Sequence, residues 1–174
     1  MNRTLIVIDM QNDFVTGSLG TKEAKGIIKN VETKIKEYLL RKDNVIFTRD
    51  THNKKYLKTL EGVKLPIQHC IEGTDGWEII DELKPYAEYC KIIDKNSFGY
   101  NDWSNEVKVR NANEIELVGV CTDICVISNA LTLKSFNTEA EIIVDASCCA
   151  GSTPESHRNA LEAMKQCHIN IINE

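Results

Sequence analysis

Residues 4–9 read TLIVID, and their four central positions are apolar without a polar interruption, three of them β-branched. A strand with one face in water alternates apolar and polar residues. An unbroken run of this length suits a strand covered on both faces. Runs of strand length recur at 44–50 (NVIFTRD), 90–95 (CKIIDK), 114–120 (EIELVGV), 141–147 (EIIVDAS) and 169–172 (INII). Between the first two, residues 24–42 carry Ile27, Ile28, Val31, Ile35, Leu39 and Leu40 at helical spacing. The segment WEIIDELK (77–84) predicts a short helix, 101–111 another, and DICVISNALTLKSFN (123–137) an amphipathic one. TPESHRNALEAMKQC (153–167) opens with Pro and Glu in the first turn, as helix starts prefer. Strand and helix alternation of this kind builds βαβ units. The expected fold is therefore α/β: a single-domain, doubly wound, six-stranded, mainly parallel sheet with helices on both faces.

Composition narrows the function. At 174 residues, 42% hydrophobic and 27% charged, the chain is long enough to bury one core. Its net charge of -5 excludes a general nucleic-acid binder, because lysines and arginines are scattered, as in KNVETKIKEYLLRKD (29–43), and form no stripe. The apolar run near the start is too short for a signal peptide or a membrane span, so a cytoplasmic protein is expected, with no membrane partner. Seven cysteines in such a protein read as free thiols. Cys70, Cys90, Cys148, Cys149 and Cys167 lie in or beside apolar segments and are expected mostly as buried small hydrophobes. Residues 51–75 are the exception to short connections, and loops of that length usually serve function.

In an open parallel sheet the site lies beyond the carboxyl ends of the strands. There the sequence places Asp9, Asp50 with His52, Lys95, the segment VCTDIC, and Asp145. Cys121 and Cys125 read as a metal clip, a disulfide, or a nucleophile beside a neighbour. A single pair supplies only two metal ligands, and a disulfide does not suit the compartment. Cys125 stands where a helix begins; the helix N-terminus and Lys95 are expected to lower its pKa and favour the thiolate. Asp9 is the candidate general base, and backbone amides of 121–125 the candidate oxyanion hole. In the long loop, Asp50, His52 and His69 suit a divalent ion, Zn, Fe or Mn, although two loop histidines and an acid read equally as surface residues.

VIDMQNDF, DKNSFG, GVCTDICV and TPESHRNALEAM occur in an order that resembles the isochorismatase-like cysteine hydrolases, the nicotinamidase branch in particular. The resemblance spans essentially the whole chain and implies their Rossmann-like hydrolase fold. It implies a catalytic triad of Asp9, Lys95 and Cys125. It also implies a cis Val120–Cys121 bond, with the Cys121 and Cys125 amides forming the oxyanion hole. The metal of such enzymes is held by D-x-H and a later His before a G-T-x-G turn, here Asp50, His52 and His69 in HCIEGTDG, with Glu61 as the candidate further ligand. Zinc is the first choice. The metal binds the pyridine nitrogen and leaves the carboxamide over the cysteine. Phe14 is the family's pocket wall, joined here by Phe98 or Tyr100.

The chain departs from the pattern in two places: Pro66, Ile67 and Gln68 stand where an aromatic is usual, and NSFGYNDW (96–103) lacks the longer lid. His157, Asp123 and Asp145 are expected to be structural, and Trp77 and Trp103 to pack beneath loops. The implied activity is hydrolysis of nicotinamide, and of pyrazinamide, to the acid and ammonia through a thioester. The partner is thus a small-molecule amide, and homo-oligomers are common among such proteins. An N-carbamoyl or ureido amide hydrolase of the same family is the alternative, which a bound metal argues against. A non-catalytic binding or redox-sensing protein is the other, which the intact triad argues against. Isochorismate cleavage is disfavoured, because relatives that perform it lack the nucleophilic cysteine.

Overall fold

The computed structural model describes residues 2–174. The alternation resolves into β1 (Arg3–Ile8), α1 (Asn12–Val15), α2 (Lys22–Leu40), β2 (Asn44–Asp50), α3 (Leu60–Lys64), α4 (Lys84–Ala87) and β3 (Lys91–Lys95). There follow α5 (Val107–Arg110), β4 (Glu114–Val120), α6 (Ile127–Phe136), β5 (Glu141–Ala150), α7 (Pro154–Gln166) and β6 (Asn170–Ile172). The six strands form one sheet in the order β3-β2-β1-β4-β5-β6, every neighbouring pair parallel.

The unbroken apolar run of β1 has the burial it predicts. Leu5 and Val7 enter one core with Phe47, Val118 and α2, while Ile6 and Ile8 enter the other with Ile46, Leu117, α6 and α7. Helix α2 buries Ala24, Ile27, Val31, Ile35 and Tyr38, one face at helical spacing. Its N-cap is Thr21, whose hydroxyl accepts from the Ala24 amide at 3.0 Å. Thr153 caps α7 in the same way through the Ser156 amide at 3.0 Å. No helix among the described residues is long and apolar enough to cross a membrane.

Three local expectations are corrected. WEIIDELK forms no helix: Ile79 pairs with Gln11 in an isolated antiparallel bridge, the Ile80 amide donates to the Met10 carbonyl, and both isoleucines are buried. Docking on the segment after β1 overrides helix propensity there. The helix expected over 101–111 is split, because Glu106 is extended (φ -83°, ψ 100°) between a turn at Trp103–Asn105 and α5, and its carboxylate pairs with Lys91. Finally, β5 runs three residues beyond 147, its register against β4 shifting between Leu117↔Val144 and Gly119↔Cys149. Asp145 therefore lies inside the strand and away from the site edge. There it meets Lys34 Nζ at 2.9 Å, and Lys34 also holds Glu116 at 2.8 Å.

The strand order switches at β1, whose successor β2 lies on one side and β4 on the other. Ligand sites of open α/β sheets lie at such a point, beyond the carboxyl ends. Gly119 permits the close approach of β4 to β1 there: its φ is +118°, and a Cβ would lie 2.1 Å from the Ile8 carbonyl oxygen.

Candidate active site

Asp9 follows β1 with a left-handed backbone (φ 49°), and its carboxylate is fully buried. Lys95, the last residue of β3, places Nζ 2.6 Å from Asp9 Oδ2 and 3.7 Å from Cys125 Sγ. The same ammonium donates to the Ser97 carbonyl at 3.1 Å. Thr48 completes the acid's surroundings by donating from Oγ1 to Asp9 Oδ1 at 2.6 Å. The structure thus brings Asp9, Lys95 and Cys125 to one point from three strand ends.

Electrostatics at that point differ from the expectation of a resting thiolate. Burial pushes the Cys125 thiol well above its ordinary pKa, and the Asp9 charge adds to this, outweighing Lys95. Burial likewise raises Asp9, against the pull of Lys95. Burial lowers the Lys95 pKa, but the charges of Asp9 and Asp50 and the bond to Asp9 raise it by more. The thiol is thus held against ionisation by its burial, with the Lys95 ammonium beside both it and the Asp9 carboxyl.

The peptide bond Val120–Cys121 is cis. Beyond it the chain makes a widened helical turn, Thr122–Val126, before α6. The Cys121 carbonyl accepts from the Ile124 and Val126 amides, on either side of the Cys125 amide. Widened turns of this kind are frequent at functional sites.

Asp50, His52, Glu61 and His69 each offer one ligand atom, all within 4.8 Å of one another. Asp50 Oδ2 lies 2.8 Å from His52 Nε2 and 3.5 Å from His69 Nε2, while Glu61 Oε1 lies 3.6 and 3.9 Å from the same nitrogens. His69 Nδ1 bonds to the Ile67 carbonyl at 2.8 Å, which turns Nε2 toward the cluster, as outer partners of metal-binding histidines do. His52 Nε2 is buried and, though close to Asp50, makes no well-directed hydrogen bond. Burial would lower the His69 pKa, yet its bonds to Asp50 and the Ile67 carbonyl and the nearby Glu61 raise it, so the local field favours a cation. Two imidazoles, two carboxylates and an unsatisfied ring nitrogen fit a divalent ion.

A cavity of about 670 Å³ joins the two sets, with Cys121, Cys125, Asp50, Glu61 and His69 on its wall. Phe14 and Phe98 line it too; Tyr100 instead packs edge-on against Trp103, centroids 4.9 Å apart, and is not on that wall. Asp123 accepts from the Ser152 amide at 2.8 Å, and Trp103 is fully buried. Trp77 lies half-buried under the Arg49 guanidinium, 3.5 Å from its ring centre. All seven cysteines are free; Cys70, Cys125, Cys148 and Cys149 are buried, whereas Cys167 is exposed.

Several supporting residues escaped the sequence reading. Gln11 accepts from the Asp50 amide at 2.7 Å and donates to the Asp50 and Trp77 carbonyls at 2.9 and 2.8 Å. Asp13 accepts from the Cys70 amide, next to His69, at 2.8 Å. VIDMQNDF thus supplies a catalytic candidate at Asp9 and braces two metal-ligand candidates through Gln11 and Asp13; the D-x-Q-x-D spacing was the available signal. Asn129, fully buried, donates to the Cys125 and Phe98 carbonyls at 2.8 and 3.2 Å and accepts from the Tyr100 amide and Trp103 Nε1 at 2.9 and 3.1 Å. A polar residue four positions after Cys125, on a face otherwise apolar, was its only trace. Tyr56 packs its ring at a tilt against His52 and edge-on against His69, centroids 4.6 and 4.9 Å apart, with no signal in its flanking residues.

The sequence profile of the isochorismatase domain matches residues 3–173. The chain is 30% identical over 173 residues to an isochorismatase family protein of Bacillus subtilis, covering 92% of this chain and 93% of that one. It is 22% identical over 216 residues to the nicotinamidase of Saccharomyces cerevisiae, covering 99% and 100%. Among solved structures, a pyrazinamidase/nicotinamidase of Streptococcus mutans superposes with a TM-score of 0.86 at 26% identity, over 98% of this chain and 100% of that one. A nicotinamidase of Bacillus subtilis gives 0.84 at 26%, over 99% and 100%. With its acid, lysine and cysteine gathered where the strand order switches, the chain belongs to the isochorismatase family.

Proposed function

We propose that this protein hydrolyses nicotinamide, and its isostere pyrazinamide, to the corresponding acid and ammonia. The observation that carries the reading is the shared cavity: a cysteine with an acid and a lysine in reach, and three of the four metal-ligand candidates, Asp50, Glu61 and His69, on the same wall. The named relatives that act on nicotinamide support it.

Asp9 takes the Cys125 proton as sulfur attacks the carboxamide carbon, which fits a thiol that is neutral at rest beside a buried carboxylate. Lys95, held protonated, stabilises the thiolate as it forms. The amides of Cys121 and Cys125 receive the developing oxyanion. Asp9 returns its proton to the leaving ammonia, and the acyl group remains on Cys125 as a thioester. Water, deprotonated by Asp9, then attacks the thioester and releases the acid. Asp50, His52, His69 and Glu61 would hold a divalent ion, zinc by the donor set, that supplies a Lewis acid to the ring nitrogen. Phe14 and Phe98 would enclose the ring. A carbamoyl or ureido substrate gives the metal-ligand cluster no work, and that reading is the weaker one.

Ammonia release from nicotinamide by the purified protein tests the reading, with Cys125→Ala and a chelator-stripped sample alongside. Turnover by wild type and its loss in both others is expected. Metal-loaded wild type that leaves nicotinamide untouched would end the substrate assignment.

A further inference from the structure

The turn that carries the candidate oxyanion hole is tied by side-chain hydrogen bonds to residues beyond the end of β5. Thr122, directly after Cys121, is completely buried, and a hydrogen bond of 2.8 Å joins its Oγ1 to Nδ1 of His157 in the first turns of α7. Asp123 binds Ser152 twice, accepting from its amide at 2.8 Å and its hydroxyl at 2.5 Å. The second tie reaches the segment that links β5 to α7, and the first reaches α7 itself. That segment approaches closely at Gly151, where a Cβ would lie 2.8 Å from the His157 Cβ. Substitution there would push the imidazole off the turn. Burial lowers the pKa of His157 and outweighs Asp123, so the ring is neutral and offers one donor and one acceptor.

We propose that His157 is a positioning residue for the hydrolysis: through Thr122 it fixes the 121–125 turn so that the Cys121 and Cys125 amides converge on one oxygen. The inference rests on the amidase reading above. Within the turn the Ile124 and Val126 amides both end on the Cys121 carbonyl, and neither bond orients the Thr122 side chain. The Thr122–His157 bond supplies a buried, directional one from outside. Its loss lets the Cys121 amide drift away from the Cys125 amide, and displacements of about 1 Å in a catalytic geometry cost on the order of 100-fold. Cys125 is held separately: Asn129 donates to its carbonyl at 2.8 Å, and its Sγ faces Lys95, whose own anchors are Asp9 and the Ser97 carbonyl. His157 therefore governs the oxyanion and leaves thiol reactivity alone.

That separation is measurable. Attack of Cys125 on iodoacetamide displaces iodide at a saturated carbon and forms no oxyanion. Addition to pyridine-3-carbaldehyde forms a thiohemiacetal whose oxygen occupies the hole. Variants His157→Ala, Thr122→Val, the double, and Thr122→Ser would be compared with wild type, each checked for folding and metal content. The expected result is a fall in kcat for nicotinamide of about 10- to 100-fold in His157→Ala and Thr122→Val. KM and the alkylation rate at Cys125, read by peptide mass spectrometry, stay within about twofold. Aldehyde affinity falls with kcat, the double variant is no worse than either single, and Thr122→Ser, which keeps the hydroxyl, stays near wild type. Unchanged kcat, additive losses, or alkylation slowing in step with kcat would each overturn the proposal. Should His157→Ala fail to fold, Thr122→Val removes the same bond without touching α7 and decides alone. An inactive wild type would sink the amidase reading and this inference with it; an active wild type with indifferent variants would sink this inference only.

Discussion

Replacing Thr48 by valine isolates the contribution of one hydrogen bond to the candidate base. Asp9 has no exposure to solvent and two close partners, Lys95 Nζ on Oδ2 and the Thr48 hydroxyl on Oδ1, each at 2.6 Å. Valine keeps the branched shape and removes the donor. The Asp9 amide keeps a partner, since it also donates to the Thr48 carbonyl at 3.3 Å. A hydrogen bond to a charged group is worth about 1.5–3 kcal/mol. One pKa unit corresponds to about 1.4 kcal/mol, so the variant should raise the Asp9 pKa by about one to two units. The sign follows from which form loses support: only the carboxylate accepts from Thr48, so its loss favours the protonated acid. In a pH profile of kcat/KM for ammonia release between about pH 5 and 9, the acid limb moves up by that amount. The rate well above the limb changes little. Stability should respond in parallel. Asp9 already titrates above its unfolded value of 3.8, so its buried charge costs stability at pH above the folded pKa, and the cost is relieved as pH falls through it. The variant's deficit is therefore present at neutral pH and closes on acidification. An acid limb that stays put while the whole profile drops would refute the reasoning, because the titrating base would then not be the carboxylate that Thr48 touches.

Cys125→Ala should reduce ammonia release roughly 10⁴-fold or more while leaving metal content unchanged, as quantified by elemental analysis and a coupled ammonia assay. Stripping the protein with a chelator should abolish turnover, and added zinc should restore it and raise the thermal midpoint; a metal at 100 times its Kd adds about 2.7 kcal/mol. His69→Ala should lose both responses, and a fully stripped protein that stayed active would contradict the metal assignment. Asp145→Asn breaks the buried pair with Lys34 and should destabilise by about 2 kcal/mol near neutrality in urea unfolding, because Lys34 keeps Glu116 as a partner. Burial tends to raise the Asp145 pKa, but the bonds from Lys34, Ser147 and Asn173 win and lower it. Its contribution is thus fully present above the ordinary 3.8, and the difference between variant and wild type should begin to close below that pH and vanish only as pH falls through the lowered pKa of the folded state.

The parts of the fold legible in the sequence are those where one periodicity decides. β2 and β4 have the bounds expected of NVIFTRD and EIELVGV, and the helical stripe of 24–42 became α2 with ends shifted by two residues. WEIIDELK misled because short apolar segments take whatever backbone their neighbours offer, and the segment after β1 offered an antiparallel bridge. β5 outran its apolar run since Cys149 and Ala150 pair with Gly119 and Val120 past a register shift that no pattern marks. The same extension withdrew Asp145 from the site edge. At the site, residue types and strand ends located Asp9, Lys95 and Cys125. The charge state of the thiol was not legible, because it depends on how completely the cysteine is desolvated and how near the acid lies. Thr48 and Asn129 were hidden for a related reason: an ordinary residue becomes important only through the atom that it faces.

The sheet order explains why a lysine, and not a shorter cation, serves this site. β3 is two strands from β1, a separation of roughly 10 Å at about 4.8 Å per strand, and β2 lies between them. Only a long, flexible side chain from the end of β3 can cross β2 and reach both Asp9 and Cys125. In crossing, Lys95 passes the end of β2, where its register partner Asp50 stands 3.7 Å from Nζ. Asp50 therefore faces the Lys95 ammonium with Oδ1 and the histidine nitrogens with Oδ2. The two halves of the site share this carboxylate, and their electrostatics cannot be independent. A cation on the histidine side draws Asp50 charge away from the triad; without it, that charge adds to the forces that raise Asp9. Metal occupancy should thus adjust the proton affinity of the candidate base as well as supply a ligand for the ring, and the parallel strands β1, β2 and β3 are what bring both effects to one carboxylate.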